Sequence, residues 1–172
     1  MVIDSNHLKN ILEYANRQIP LPISNKQQLL VVSSVDVSYY LDVFDQLQQH
    51  SKDAYWGLHY GAFLNLKALS VIYDISSVTS NLKQLFFIWK QYAKASFPLI
   101  AFQEEEGADY YSVYLKKSTI PLSHQVLDSI LMFAYRELTT ITNETITITL
   151  PYQDVEHYRT WFNTPIIQGT GI

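Results

Sequence analysis

The stretch Tyr55–Ser96, YWGLHYGAFLNLKALSVIYDISSVTSNLKQLFFIWKQYAKAS, decides how the rest of this chain is read. It opens on a segment bracketed by Gly57 and Gly61, which reads as a tight turn. From Val78 the apolar positions fall at Val78, Leu82, Leu85, Trp89 and Tyr92, with Phe86 and Ala93 widening the stripe. That spacing follows the 3.6-residue helical period and predicts an amphipathic helix over 78–96. Ser76, Ser77 and Thr79 offer hydroxyls to its first unpaired N–H groups. Phe97-Pro98 stops it, because proline has no N–H and forces the residue before it out of the helical region.

Outward from this stretch, the period separates two halves. Towards the N-terminus, helices are expected over 5–18, with Leu8, Ile11, Leu12 and Ala15 on one face, and over 35–49, with Tyr39, Tyr40, Val43, Phe44 and Leu47 inward. Pro20-Leu21-Pro22 makes a connector between them, and the run Leu29–Val32 reads equally as a strand or the start of a buried helix. After Pro98 the period drops to 2. Residues 99–103 and 110–116 form a hairpin around Glu104–Asp109, a helix runs over 121–140, and 145–150 alternates threonine with Ile146, Ile148 and Leu150. A short helix capped by Asp154 and an extended piece at Pro165–Ile167 close the chain. The class is α+β, a helical N-terminal half followed by a small, mostly antiparallel sheet with packed helices in the order β-β-α-β-α-β, all in one domain.

Composition narrows the function. At 172 residues the chain is long enough to bury a sizeable core, and 14% aromatics, including 13 tyrosines, suit either that core or a small-molecule pocket. Twelve basic against 16 acidic residues give a net charge of −4, with no basic stripe to neutralise phosphates. The absence of cysteine removes disulfides, thiolate catalysis and cysteine zinc sites, and fits a cytoplasmic home. The first residues, MVIDSNHLKN, lack the apolar core of a signal peptide, and no apolar run reaches the ~20 residues of a membrane span.

Candidate chemistry is sparse. None of the five histidines pairs at the i, i+4 spacing of a helical metal site. No Gly-x-Ser-x-Gly, Walker or Gly-x-Gly-x-x-Gly pattern occurs. An enzyme reading therefore has no residue set, and neither cofactor nor metal is expected. Glu104–Glu106 is read more simply as a solvated hairpin tip than as a cation site. What remains is a set of large side chains with polar edges, Trp56, His59, Tyr73, Trp89 and Tyr135, as candidates for binding a ligand. Each also has a plainer reading: the four aromatics as core, and His59 as a partly buried histidine bonded to backbone. The expected pocket lies between the 78–96 helix and the sheet, walled by Trp89 and Tyr135, with His59 or Tyr73 at its mouth.

The order of four motifs carries a family resemblance. Gly57-Leu58-x-x-Gly61, the Ser77-Val78-Thr79-Ser80 cap before an aromatic helix, the helix HQVLDSILMFAYREL with the strand ITITLP, and Tyr158-x-x-x-Phe162-x-x-Pro165-Ile166 follow one another across residues 57–172. Together they resemble the N-terminal effector-sensing, arabinose-binding-like domain of AraC/XylS-type transcription regulators, although the cap lacks that group's proline. The resemblance implies a sensing and dimerisation domain, with a small-molecule effector, a homodimer, and DNA reached only through a helix-turn-helix domain beyond residue 172. A stand-alone sensor holding haem or a small molecule, and an enzyme acting on a small apolar substrate, are the alternatives.

Overall fold

The structure, a computed structural model, describes residues 1–18, 32–64, 81–116, 119–150 and 155–169. The 20–22 connector, most of the Leu29–Val32 run, Tyr73, the Ser76–Ser80 cap and Asp154 lie outside them.

Two strand-to-helix corners begin the fold. Strand β1 (Val2–Asp4) runs into helix α1 (Ser5–Gln18), and β2 (Ser34–Asp36) runs into α2 (Val37–Ser51). The aspartate at each corner turns the chain: Asp4 Oδ1 accepts from Asn6 N at 2.8 Å, and Asp36 Oδ1 from Ser38 N at 2.9 Å. Because Asp36 is the cap, α2 starts two residues later than the apolar pattern implied, and Val35 is spent on a strand. The strands pair antiparallel with Ile3 opposite Val35, both buried. Tyr40, Phe44 and Leu47 of α2 are buried as expected, whereas Tyr39 is exposed.

The segment between Gly57 and Gly61 is helical, not a turn. It forms α3 (Trp56–Phe63), and neither glycine has a positive φ. Both are glycine because α3 lies against α5 (His124–Ile141) at backbone contact: a Cβ on Gly57 would collide with the Gln125 carbonyl, and one on Gly61 with that of Ser129. Contacts rising from Gln125 to Met132 as α3 advances from Gly57 to Gly61 mean that the two helices run in the same direction. Eight residues are too few for a helix to persist alone in water, and α5 secures both ends of this one. Gln125 Oε1 accepts from Gly57 N at 2.6 Å while its Nε2 donates to Ala54 O at 2.8 Å. At the other end the Arg136 guanidinium donates to the carbonyls of Ala62 and Leu64.

Helix α4 (Leu82–Ser96) is capped by Asn81, whose side chain accepts from Lys83 N at 2.9 Å. Its buried face is Leu85, Phe86, Trp89 and Ala93. Past Pro98 a turn from Phe97 to Ile100 delays the hairpin, so β3 spans Ala101–Glu106 and pairs antiparallel with β4 (Tyr111–Lys116). The glutamates thus stand in the strand rather than at its tip. Lys90 Nζ meets Glu104 Oε2 at 2.8 Å and Lys83 meets Glu106, tying α4 to β3, while Glu105 accepts from the hydroxyls of Tyr110 and Tyr114.

Strand β5 (Ile148–Leu150) pairs with β6 (Ile166–Gln168) in parallel, across a 3-10 turn at Glu156–Thr160. It is half the expected length because β6 offers only three residues after Pro165. The fold is α+β as read from the sequence, but the six described strands form three separate two-stranded sheets rather than one. Each sheet packs on its own side-chain cluster around α3, α4 and α5. Among the described residues, no helix is long and apolar enough to cross a membrane.

Candidate functional site

The sequence candidates do not converge. Trp56 is core: its ring stands edge-on to Phe44 at 4.9 Å, stacks on Tyr60 at 5.6 Å, and is 1% exposed. His59 points away from that core, its Nδ1 2.5 Å from Asp53 Oδ2 and its ring edge-on to Trp161 at 4.5 Å. Tyr135 stands edge-on to Phe162 at 5.0 Å in the cluster under β5 and β6. Tyr73 lies outside the described residues. Of the five, Trp89 alone is described lining a cavity between the helices.

That cavity, about 100 Å³ and partly open to solvent, is bordered among the described residues by α1, α2, α3, α4, α5 and the start of β3. Its walls are mostly apolar, with Phe97, Ile100, Phe102, Ile130 and Phe133 among them. The described lining residues with polar side-chain atoms are His7, Asn10, Tyr40, Tyr60, Trp89, Tyr92 and Ser129. His7 sits beside Phe97, ring centres 4.6 Å apart, and its Nε2 is buried without a hydrogen-bond partner among the described residues. Trp89 Nε1 is in the same condition, as is Trp56 Nε1 in the core. Burial pushes the His7 imidazolium down to about 4 against a weaker opposing pull from Asp4, so the ring is neutral near pH 7. Tyr40 and Tyr60 also line the space; burial raises both hydroxyls, which pair with each other. Ser129, also on the wall, donates its hydroxyl to Val126 O at 2.7 Å.

Sequence reasoning passed over His7, yet a signal existed. His7 and Asn10 are polar residues at i, i+3 beside the Leu8–Ile11 stripe, and both reach the cavity. Ser129 and Asp128 were hidden for a different reason. Leu127, Leu131, Ala134 and Leu138, which form the 3.6-residue apolar stripe of α5, are only partly buried. The deepest positions include Val126, Asp128, Ser129 and Met132. Ser129 is small where Gly61 must approach, and Asp128 accepts from the Tyr158 hydroxyl at 2.9 Å. Among the described residues no group of three or more His, Cys, Asp or Glu is placed to hold a metal.

No protein-family model and no curated protein matches this chain.

Proposed function

We propose that the chain is a small-molecule-sensing domain of the kind AraC-type transcription regulators carry, acting as a homodimer beside a separate DNA-binding domain. The observation that carries this reading is the apolar cavity lined by His7 and Trp89, whose buried Nε2 and Nε1 have no hydrogen-bond partner among the described residues. Such a space suits a ligand taken mostly through apolar contact and oriented by few polar ones. The motifs of residues 57–166 and the acidic balance, net charge −4, support a sensor whose DNA contacts lie elsewhere. Because six elements meet around the cavity, an effector would favour the arrangement in which they close on it, and so bias an equilibrium that a DNA-binding domain reads. A haem sensor has His7 Nε2 in its favour and the cavity's size, about 100 Å³, against it; visible absorbance of the purified chain separates the two.

The test is a thermal-shift screen with small apolar compounds. A compound present at a hundred times its dissociation constant raises stability by about 2.7 kcal/mol. Hits whose effect disappears in Trp89→Ala support the reading; hits that keep their affinity there place the site elsewhere.

A further inference from the structure

His7 and Trp89 line one cavity, and among the described residues neither His7 Nε2 nor Trp89 Nε1, both buried, has a hydrogen-bond partner; Trp56 Nε1, away from the described cavity lining, shares that condition. A buried donor left unpaired costs about 1–3 kcal/mol, a cost Trp56 bears in the core but one that an occupant of the cavity can relieve for His7 and Trp89, whose side chains line it. The indole N–H donates and never accepts, so its partner must be an acceptor. A neutral imidazole Nε2 donates or accepts according to its tautomer. One oxygen meets both demands: a hydroxyl accepts from the indole and donates to the imidazole, and a carbonyl accepts from both.

Charge and size narrow the ligand further. The described lining residues include no lysine, arginine, aspartate or glutamate, and His7 is neutral near pH 7. An anion entering this space would lose its hydration without gaining a counter-charge. A cavity of about 100 Å³ is somewhat smaller than the roughly 150 Å³ that accommodates benzene in another protein. The fit is therefore to a single ring or a short chain.

We propose that the cavity binds one small uncharged molecule, a single ring or short chain, through an oxygen that accepts from Trp89 Nε1 and pairs with His7 Nε2. This rests on reading the cavity as an effector site and assigns the chemistry of that effector. Phenols, alcohols and ketones share the required oxygen. Carboxylic acids, ionised at neutral pH, do not fit.

The experiment uses the whole 172-residue chain, labelled with nitrogen-15, and follows the indole N–H signals of its three tryptophans at pH 7. Trp89→Phe identifies the Trp89 signal by its loss. The probes are phenol, cyclohexanone, toluene and benzoate. Phenol and cyclohexanone should move the Trp89 signal and bind about tenfold tighter than toluene, the usual worth of one buried hydrogen bond. Benzoate should not bind. In Trp89→Phe, and independently in His7→Leu should the first variant fail to fold, the advantage of phenol over toluene should shrink severalfold. Toluene binding as well as phenol, benzoate binding best, or a Trp89 signal unmoved by bound phenol would each overturn the oxygen assignment while leaving an effector site in place. If none of the four binds but another compound fills the cavity, the assignment alone fails. If no compound of any kind enters it, the sensor reading fails as well.

Discussion

Replacing Gly57 with alanine tests the contact on which the fold turns. In an exposed helix this change stabilises by roughly 0.5–1 kcal/mol, because alanine restricts the unfolded chain and favours helix. Here the new Cβ meets the Gln125 backbone, with its carbonyl carbon at 2.7 Å and its Cα at 2.8 Å, besides striking the carbonyl oxygen. Backbone cannot swing aside as a side chain does, so α3 must move away from α5 by about 1 Å to restore contact distance. Overpacking of this kind costs about 1–3 kcal/mol. The same displacement stretches the 2.6 Å bond from Gly57 N to Gln125 Oε1, adding about 1 kcal/mol. After the propensity gain is subtracted, Gly57→Ala should destabilise by about 2–3 kcal/mol, read as a lowered urea midpoint at unchanged slope. Gly61→Ala should cost a similar amount, since its new Cβ meets the Ser129 backbone and Met132 Cβ at 2.9 Å, and a Cβ is as fixed as the backbone that carries it. A neutral or stabilising Gly57→Ala would refute the argument, because only helices held apart would reward the extra methyl.

The other predictions are as follows. Leu85→Ala, at a site 0% exposed, should cost about 2–5 kcal/mol in chemical denaturation, the usual range for an emptied leucine position. Removing the Gln125 amide with Gln125→Ala strips the N-terminus of α3 of its cap and should cost about 1 kcal/mol. His7 makes stability depend on pH: its folded value, about 4, lies below its unfolded value of 6.5, so the stabilisation is complete above pH 6.5. It is lost as pH falls from 6.5 to about 4, where the unfolded chain binds a proton that the folded chain refuses, a loss of about 3 kcal/mol that should be absent from the His7→Phe profile.

How far the sequence could be read depended on whether the signal was periodic or geometric. The apolar stripes of α1 and α4 were legible because each helix buries one face, and the class followed from the change of period at Pro98. The glycines were misread because a glycine required for close approach looks the same in sequence as one required for a turn; only the position of α5 distinguishes them. The three separate sheets were invisible for a related reason: alternation marks a strand but says nothing about its neighbour. Of the candidate site, Trp89 was legible, since it lies on a buried stripe and carries a polar edge. His7 was legible only as a polar residue paired with Asn10 beside the stripe of α1; that α4 and Phe97 close over it is set by tertiary packing.

The central claim is that filling the cavity biases the arrangement the domain adopts, and in the proposed homodimer that bias is read as a change in association. Sedimentation equilibrium, run with and without a saturating ligand identified by thermal shift, measures this directly. Linkage requires that a ligand favouring one association state shift the dimer constant by the factor by which dimerisation shifts ligand affinity. The sensor account predicts a dimer whose dissociation constant changes about fivefold or more on saturation, with the change lost in Trp89→Ala. A dissociation constant that is identical with the cavity empty and filled would contradict it.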